Sequence, residues 1–286
     1  RRAALLAQEA VRKLATPHQP RFVVGSIGST HRLPTLGQVT FAQLLDVYAE
    51  QALGLLDGGV DGFLVETSQD ILQIKAAMLA IRSVAPDHPV LVSLTLQPGG
   101  RTLLGTEVAT ALATLLPLRP AAFGLNCSAG PHELAPHIRA LARLSPIPVS
   151  VMPNAGLPEL IGDRATFPMT PQDFAEGLVP LVVEHGVRIV GGCCGTTPQH
   201  IAALVSGLAK RPPAVRKPSA RAVTALLTSL YETVPLRRPV RPLRIGERAS
   251  ASGSRAFRRR LLADELDGAA ALARTQEADG AHAIDL

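Results

Sequence analysis

The three cysteines of this 286-residue chain are the residues whose type and spacing point most directly to chemistry. Cys127 closes the motif Gly124-Leu125-Asn126-Cys127, and the other two sit together in Gly191-Gly192-Cys193-Cys194-Gly195. Each motif follows a short apolar run, Ala121-Ala122-Phe123-Gly124-Leu125 or Arg188-Ile189-Val190, of the kind that forms a buried parallel strand. Three thiolates gathered at such strand ends make a three-cysteine zinc site with one tetrahedral position unfilled, the mark of a catalytic rather than a structural metal. Two blander readings compete. Buried free cysteines can act as small apolar residues, and a vicinal pair can form a strained disulfide. Neighbouring strand residues point to opposite faces, so Cys193 and Cys194 can share one metal only across a sharp bend. Gly191, Gly192 and Gly195 permit that bend. An odd cysteine count without a secretory signal argues against a disulfide framework, which favours the metal.

Positioning these thiols requires strands that end together. Apolar runs predict strands at 22–27, 62–67, 89–96, 121–127, 147–153 and 188–193, and helical patterns fall between them at 41–57, 70–84, 106–116, 131–144, 170–185 and 197–209. Thr170-Pro171 and Thr197-Pro198 pair a capping hydroxyl with proline at the first helical position, while Gly58-Gly59 and Gly186 end helices. Six such units fit a (β/α)8 TIM-type barrel lacking its first two strands, or an open doubly wound sheet. No G-x-G-x-x-G opens a helix. The chemistry-bearing motifs follow several different strands, which favours the barrel, whose site is built from many strand ends.

Hydrophobic residues make up 47% of the chain, enough for one or two domains with proper cores. No uncharged apolar run reaches the ~18 residues that would span a membrane. The start resembles an amphipathic helix rather than a signal peptide. It lacks an initiator Met, and the chain reads as a piece of a longer protein whose expected compartment is the reducing cytoplasm. The net charge of +6 is unevenly spread: residues 1–210 carry 15 basic and 15 acidic side chains, 211–260 carry 13 and 2, and 261–286 carry 1 and 6. That distribution is not a nucleic-acid-binding face. The basic stretch lies among prolines and reads as a linker at 211–242, with a short helix at 220–231. It separates a first domain at 1–210 from a strand at 243–248, a helix at 255–279 and a strand at 281–286. Those last elements form the opening βαβ of a second α/β barrel at 243–286, incomplete as it stands.

Six motifs in order carry a family resemblance: Gly25-Ser26-Ile27-Gly28; Glu66-Thr67-Ser68-Gln69-Asp70; Gly100-Arg101-Thr102-Leu103; Gly124-Leu125-Asn126-Cys127; Pro153-Asn154-Ala155-Gly156-Leu157-Pro158; and Gly191-Gly192-Cys193-Cys194-Gly195-Thr196-Thr197-Pro198. Across residues 22–200 the chain resembles the homocysteine S-methyltransferase family, in particular its cobalamin-dependent branch. Ile245-Gly246-Glu247-Arg248 with Gly253-Ser254 resembles the start of the folate-binding (pterin) barrel that follows in that branch. Two departures stand out: Ser29 where a proline is common, and Ser250 where the folate motif usually has asparagine. Against the family pattern the first strand here matches the third, so the chain looks truncated at both ends.

The resemblance implies that Cys127, Cys193 and Cys194 bind zinc and present homocysteine as a thiolate. Three thiolates leave the site at net −1, and the substrate sulfur takes it to −2, so electron density stays on sulfur. The sulfur then takes a methyl group and methionine forms. The implied donor is methylcobalamin recharged from methyltetrahydrofolate, with cobalamin and folate on other domains and a cobalamin-binding domain as partner. Glu66 would bind the substrate ammonium, with capping of helix 70–84 as the competing role. Asn154 would fill the open metal position at rest, or else shape its turn. Gly25, Ser26 and Gly28 would bring backbone amides to the substrate carboxylate, or form a plain turn. Asn126 joins the substrate-binding set, and His200 reads as a helix-surface or packing residue. Two alternatives remain: a standalone methyltransferase with another donor, and a zinc-binding remnant without turnover.

Overall fold

The apolar runs form the expected strands because they pack into the core: the middle runs are buried at nearly every residue, whereas Val24–Gly28 alternates between exposed and buried. In the computed structural model, which describes residues 1–209, 211–215, 226–237 and 242–285, the chain falls into two units, residues 1–222 and 223–286. The first unit opens with α1 (Arg2–Leu14) and continues through β1 (Val24–Gly28), α2 (Phe41–Leu56), β2 (Gly62–Ser68), α3 (Ile71–Val84), β3 (Val90–Leu94), α4 (Val108–Leu115), β4 (Ala122–Asn126), α5 (Pro131–Leu144) and β5 (Val149–Met152). A short hairpin, β6 (Glu159–Ile161) and β7 (Arg164–Thr166), precedes α6 (Pro171–Val183), β8 (Ile189–Val190) and α7 (Pro198–Leu208). All six expected strands and six expected helices are present. The hairpin was not expected: its strands are three residues each and exposed, so no apolar pattern marks them.

Strands β1-β2-β3-β4-β5-β8 form one sheet in that order, and every neighbouring pair is parallel. This is the α/β architecture of a TIM-type barrel wall. Among the described residues, β1 and β8 remain sheet edges and the wall does not close. One face, carrying Ile27, Phe63, Val65, Val92, Phe123, Leu125, Val149 and Val151, packs into a continuous core with the helices. The other face is lined with small and polar groups, among them Ser26, Glu66, Ser93, Gly124, Asn126 and Ser150. Gly124 has to be glycine there, because a Cβ would lie 2.0 Å from Ser150 Oγ and 2.1 Å from Ser150 O.

Helix starts follow local chemistry. Thr40 and Gln43 exchange bonds in a capping box at α2. Asp70 caps α3, its Oδ1 accepting from Leu72 N–H at 2.9 Å, and its carboxylate also takes the Thr35 amide and hydroxyl. Thr170 Oγ1 accepts from Asp173 N–H at 3.2 Å at the start of α6. Because Asp70 occupies the cap of α3, Glu66 does not have that role.

The second unit contains an antiparallel hairpin, β9 (Leu226–Thr228) with β10 (Thr233–Pro235). It then forms β11 (Ile245–Gly246), α8 (Arg255–Leu262), α9 (Leu266–Ala278) and β12 (Ala283–Ile284), with β11 and β12 parallel. This is the expected βαβ unit; the second barrel itself is not formed by these residues. Two local expectations are corrected. Residues 226–231 are strand and turn rather than helix, because Ser229 Oγ accepts the amides of Tyr231 and Glu232 and closes a hairpin; residues 220–225 lie outside the described residues. The helix expected at 255–279 breaks in two at Asp264, whose φ of 56° is left-handed, a conformation that Asp tolerates better than most residues.

Candidate metal and substrate site

In a parallel sheet all strand C-termini lie along one rim, and this rim gathers the motifs. Gly28 ends β1, Glu66 to Ser68 end β2, Asn126 ends β4 and leads into Cys127, Asn154 follows β5, and Cys193 and Cys194 follow β8. The three cysteine sulfurs meet, all within 4.8 Å of one another. Cys127 Sγ lies 3.8 Å from Cys194 Sγ, and Cys193 Sγ lies 3.9 Å from it. Zinc–thiolate bonds of roughly 2.3 Å in a tetrahedron put sulfurs about 3.8 Å apart. The donor set, its spacing and its half-exposed position therefore fit a tetrahedral thiophilic metal with one side open.

Backbone bonds hold the trio. Cys127 N–H donates to Met152 O at 3.0 Å, Cys193 N–H to Pro153 O at 2.8 Å, and Ala155 N–H to Cys194 O at 2.9 Å. Asn154 is buried, and its Oδ1 accepts the Cys194 amide at 3.1 Å. The vicinal bend uses Gly195, which has φ 76°, and Gly192, whose Cβ would strike Thr196 at 2.3 Å; Gly191 has ordinary clearance. Cys127 and Ser128 are both left-handed, at φ 61° and 58°. Each such non-glycine residue costs about 1–2 kcal/mol. The Ala129 N–H to Cys127 O bond, at 2.7 Å, fixes this kink.

The trio is electrostatically unsettled without a cation. Burial first, then the facing Cys127 and Cys194 sulfurs, push the Cys193 thiol up to about 12. Burial and Cys127 push Cys194 up as well. Both thiols thus keep their protons at neutral pH until a positive ion replaces them.

The substrate candidates separate in space. Glu66 Oε1 accepts from Ser26 Oγ at 2.5 Å, and the register partner of Glu66 on β1 is Gly28. A Cβ on Gly28 would meet nothing within 4 Å, so open space lies beside the carboxylate. Gly25 faces the opposite way: it is buried, and a Cβ would lie 2.9 Å from Leu55. Its side of β1 packs against Leu55 of α2. Asn126 is 1% exposed; it bonds Thr67 twice and points Nδ2 toward Cys193 Sγ at 4.0 Å. Thr67 was missed as a site residue, since nothing local marks a β-branched residue for a left-handed conformation. His200 is buried, which is the packing role of the two read from the sequence. Its Nδ1 accepts from Thr197 N–H at 3.2 Å, Nε2 contacts Met169 O at 3.0 Å, and its ring stacks edge-on against Phe174. It braces the start of α7 behind the cysteine loop.

Residues 1–208 match the homocysteine S-methyltransferase family. The chain belongs to this family. Methionine synthase of Mycobacterium tuberculosis is 42% identical over 98% of this chain, and that of Mycobacterium leprae is 42% identical over 100%. The chain spans about a quarter of the length of these curated relatives, 24% in each case. Among solved structures, the apo form of the Escherichia coli homocysteine methyltransferase MmuM is 25% identical with a TM-score of 0.57, covering 70% of this chain and 69% of that one. Its metallated form aligns with a TM-score of 0.53 at 25% identity, over 70% of this chain and 66% of that one. The homocysteine S-methyltransferase region thus contains the six-stranded sheet and all three cysteines, whereas the similarity to the methionine synthases continues into the second unit.

Proposed function

We propose that this chain binds and activates homocysteine for S-methylation to methionine, as the homocysteine-binding part of a methionine synthase. The observation that carries the reading is the convergence of three thiols at tetrahedral spacing on the rim of a homocysteine S-methyltransferase fold. Cys127, Cys193 and Cys194 would hold zinc. When bound, zinc supplies the positive charge that keeps these sulfurs, and an incoming substrate sulfur, as thiolates at neutral pH. Asn154 holds the Cys194 amide and so fixes the vicinal bend; with Oδ1 engaged there, turn-shaping is its favoured role. Glu66, oriented by Ser26, would take the substrate ammonium through a charge-assisted bond, and the open space beside Gly28 admits the amino-acid end. The substrate sulfur then attacks the donor's methyl carbon. An S–C bond forms, the donor keeps the electron pair of the broken bond, and the neutral thioether leaves.

For the donor we favour methylcobalamin, recharged from methyltetrahydrofolate, both held on other domains. The support is the similarity to methionine synthases through the second unit, beyond residue 208 where the family match ends. It weighs against a standalone enzyme with another donor. We read 1–210 as the zinc barrel, 211–242 as its linker and 243–286 as the start of the pterin-binding domain. Free thiols suit a reducing cytoplasm; no helix among the described residues is long and apolar enough to cross a membrane.

Proton counting tests the proposal. Cys193 and Cys194 carry raised thiol pKa values, so zinc must displace at least two protons. Affinity should therefore tighten by at least about a hundredfold per pH unit between pH 6 and 8, ten-fold for each proton. Homocysteine added to the zinc-loaded protein at pH 7 should release close to one further proton. Zinc affinity independent of pH, or homocysteine binding without proton release, would count against thiolate activation.

A further inference from the structure

Strand β2 contains an irregularity next to Glu66. Val65 pairs with Val92, yet Ser68 pairs with Leu94, so β2 takes three steps where β3 takes two. The extra residue lies within Glu66-Thr67, and Thr67 is left-handed at φ 57°. Bulges of this kind redirect a side chain next to a site. A β-branched residue does not hold this conformation unaided.

Two of the three side-chain bonds that hold it come from one carboxamide. Asn126 Oδ1 accepts the Thr67 amide at 3.0 Å, and Asn126 Nδ2 donates to Thr67 Oγ1 at 2.8 Å. Ser29 Oγ donates to Thr67 O at 3.0 Å from the β1 side. Asn126 itself is fixed: its backbone oxygen accepts from buried Thr95 Oγ1 at 3.0 Å. Its Nδ2 also faces Cys193 Sγ at 4.0 Å. One buried amide therefore touches both the sulfur trio and the bulge that carries Glu66.

We infer that Asn126 and Thr67 are positioning residues for homocysteine: the Asn126 carboxamide locks the Thr67 bulge, and the locked bulge aims the Glu66 carboxylate at the substrate ammonium. The inference rests on the assignment of Glu66 to that ammonium. Neither residue has to touch the substrate. Release of the lock lets Thr67 relax toward ordinary strand geometry and turns Glu66 away from the space beside Gly28, while the three cysteines stay in place.

The test measures zinc content and homocysteine affinity in the zinc-loaded protein for Glu66→Gln, Asn126→Ala and Asn126→Ala/Thr67→Gly. Asn126→Ala should keep one zinc and bind homocysteine at least ten-fold more weakly. The added Thr67→Gly should recover most of that loss, because glycine takes positive φ without a lock; a general packing defect would not be repaired this way. Weakened Glu66→Gln with unchanged Asn126→Ala, or a double variant no better than Asn126→Ala, overturns the lock alone. Unchanged binding by Glu66→Gln overturns the Glu66 assignment and the lock with it. If Asn126→Ala does not accumulate, Thr67→Val carries the test, since it keeps the branch and loses Oγ1. It should weaken homocysteine about five-fold with Thr67→Ser restoring it, and wild-type binding by Thr67→Val overturns the inference.

Discussion

Serine in place of Cys127, Cys193 or Cys194 is expected to remove most of the bound zinc, with affinity falling at least about a hundredfold. A serine hydroxyl stays protonated where a cysteine thiol gives up its proton to the metal, so each substitution removes one of three anionic ligands. The loss should be similar at all three positions, because all three sulfurs lie within 4.8 Å of one another and each would supply one ligand to the same ion. The fold should survive, since the trio lies in loops at the sheet rim while the core is built by strands and helices below it. Metal analysis after dialysis against a weak chelator reads the result. Full zinc content in all three variants would remove the cysteines from any metal role.

Glu66→Gln is expected to weaken homocysteine about 10- to 100-fold, or roughly 1.5–3 kcal/mol for one charge-assisted bond, with zinc content unchanged. The amide keeps the size of the side chain and can still accept from Ser26 Oγ, so the strand end should not rearrange. It loses the negative charge that a substrate ammonium needs. Calorimetric titration of the zinc-loaded variant separates the two effects. Equal affinity in variant and wild type would take Glu66 out of the site; loss of zinc together with homocysteine would show a structural role instead.

The sheet was legible because its central strands are buried at nearly every residue and leave near-continuous apolar runs, and the six runs read from the sequence are the six strands of the sheet. The cysteines were legible because thiols at strand ends have few other uses. The signals that failed share a physical cause. Thr67, Cys127 and Ser128 are left-handed, and the bonds that hold them come from other segments: the Asn126 carboxamide for the first, and for the other two the end of β5, where Met152 O accepts the Cys127 amide and Asn154 N–H donates to Ala129 O. His200 reads as either a surface or a packing residue, and what decides for packing is its contact with Met169 and Phe174 in segments well before it. The β6–β7 hairpin has neither burial nor length to mark it. Local pattern reveals elements; the contacts between loops that shape the site appear only once those elements are assembled.

X-ray absorption at the zinc edge of the loaded protein, before and after homocysteine, tests the central claim most directly. The account predicts three sulfurs at about 2.3 Å with one lighter ligand, becoming four sulfurs when homocysteine is added. A sulfur count that stays at three with homocysteine bound, or a metal bound without the three cysteine sulfurs, would contradict it.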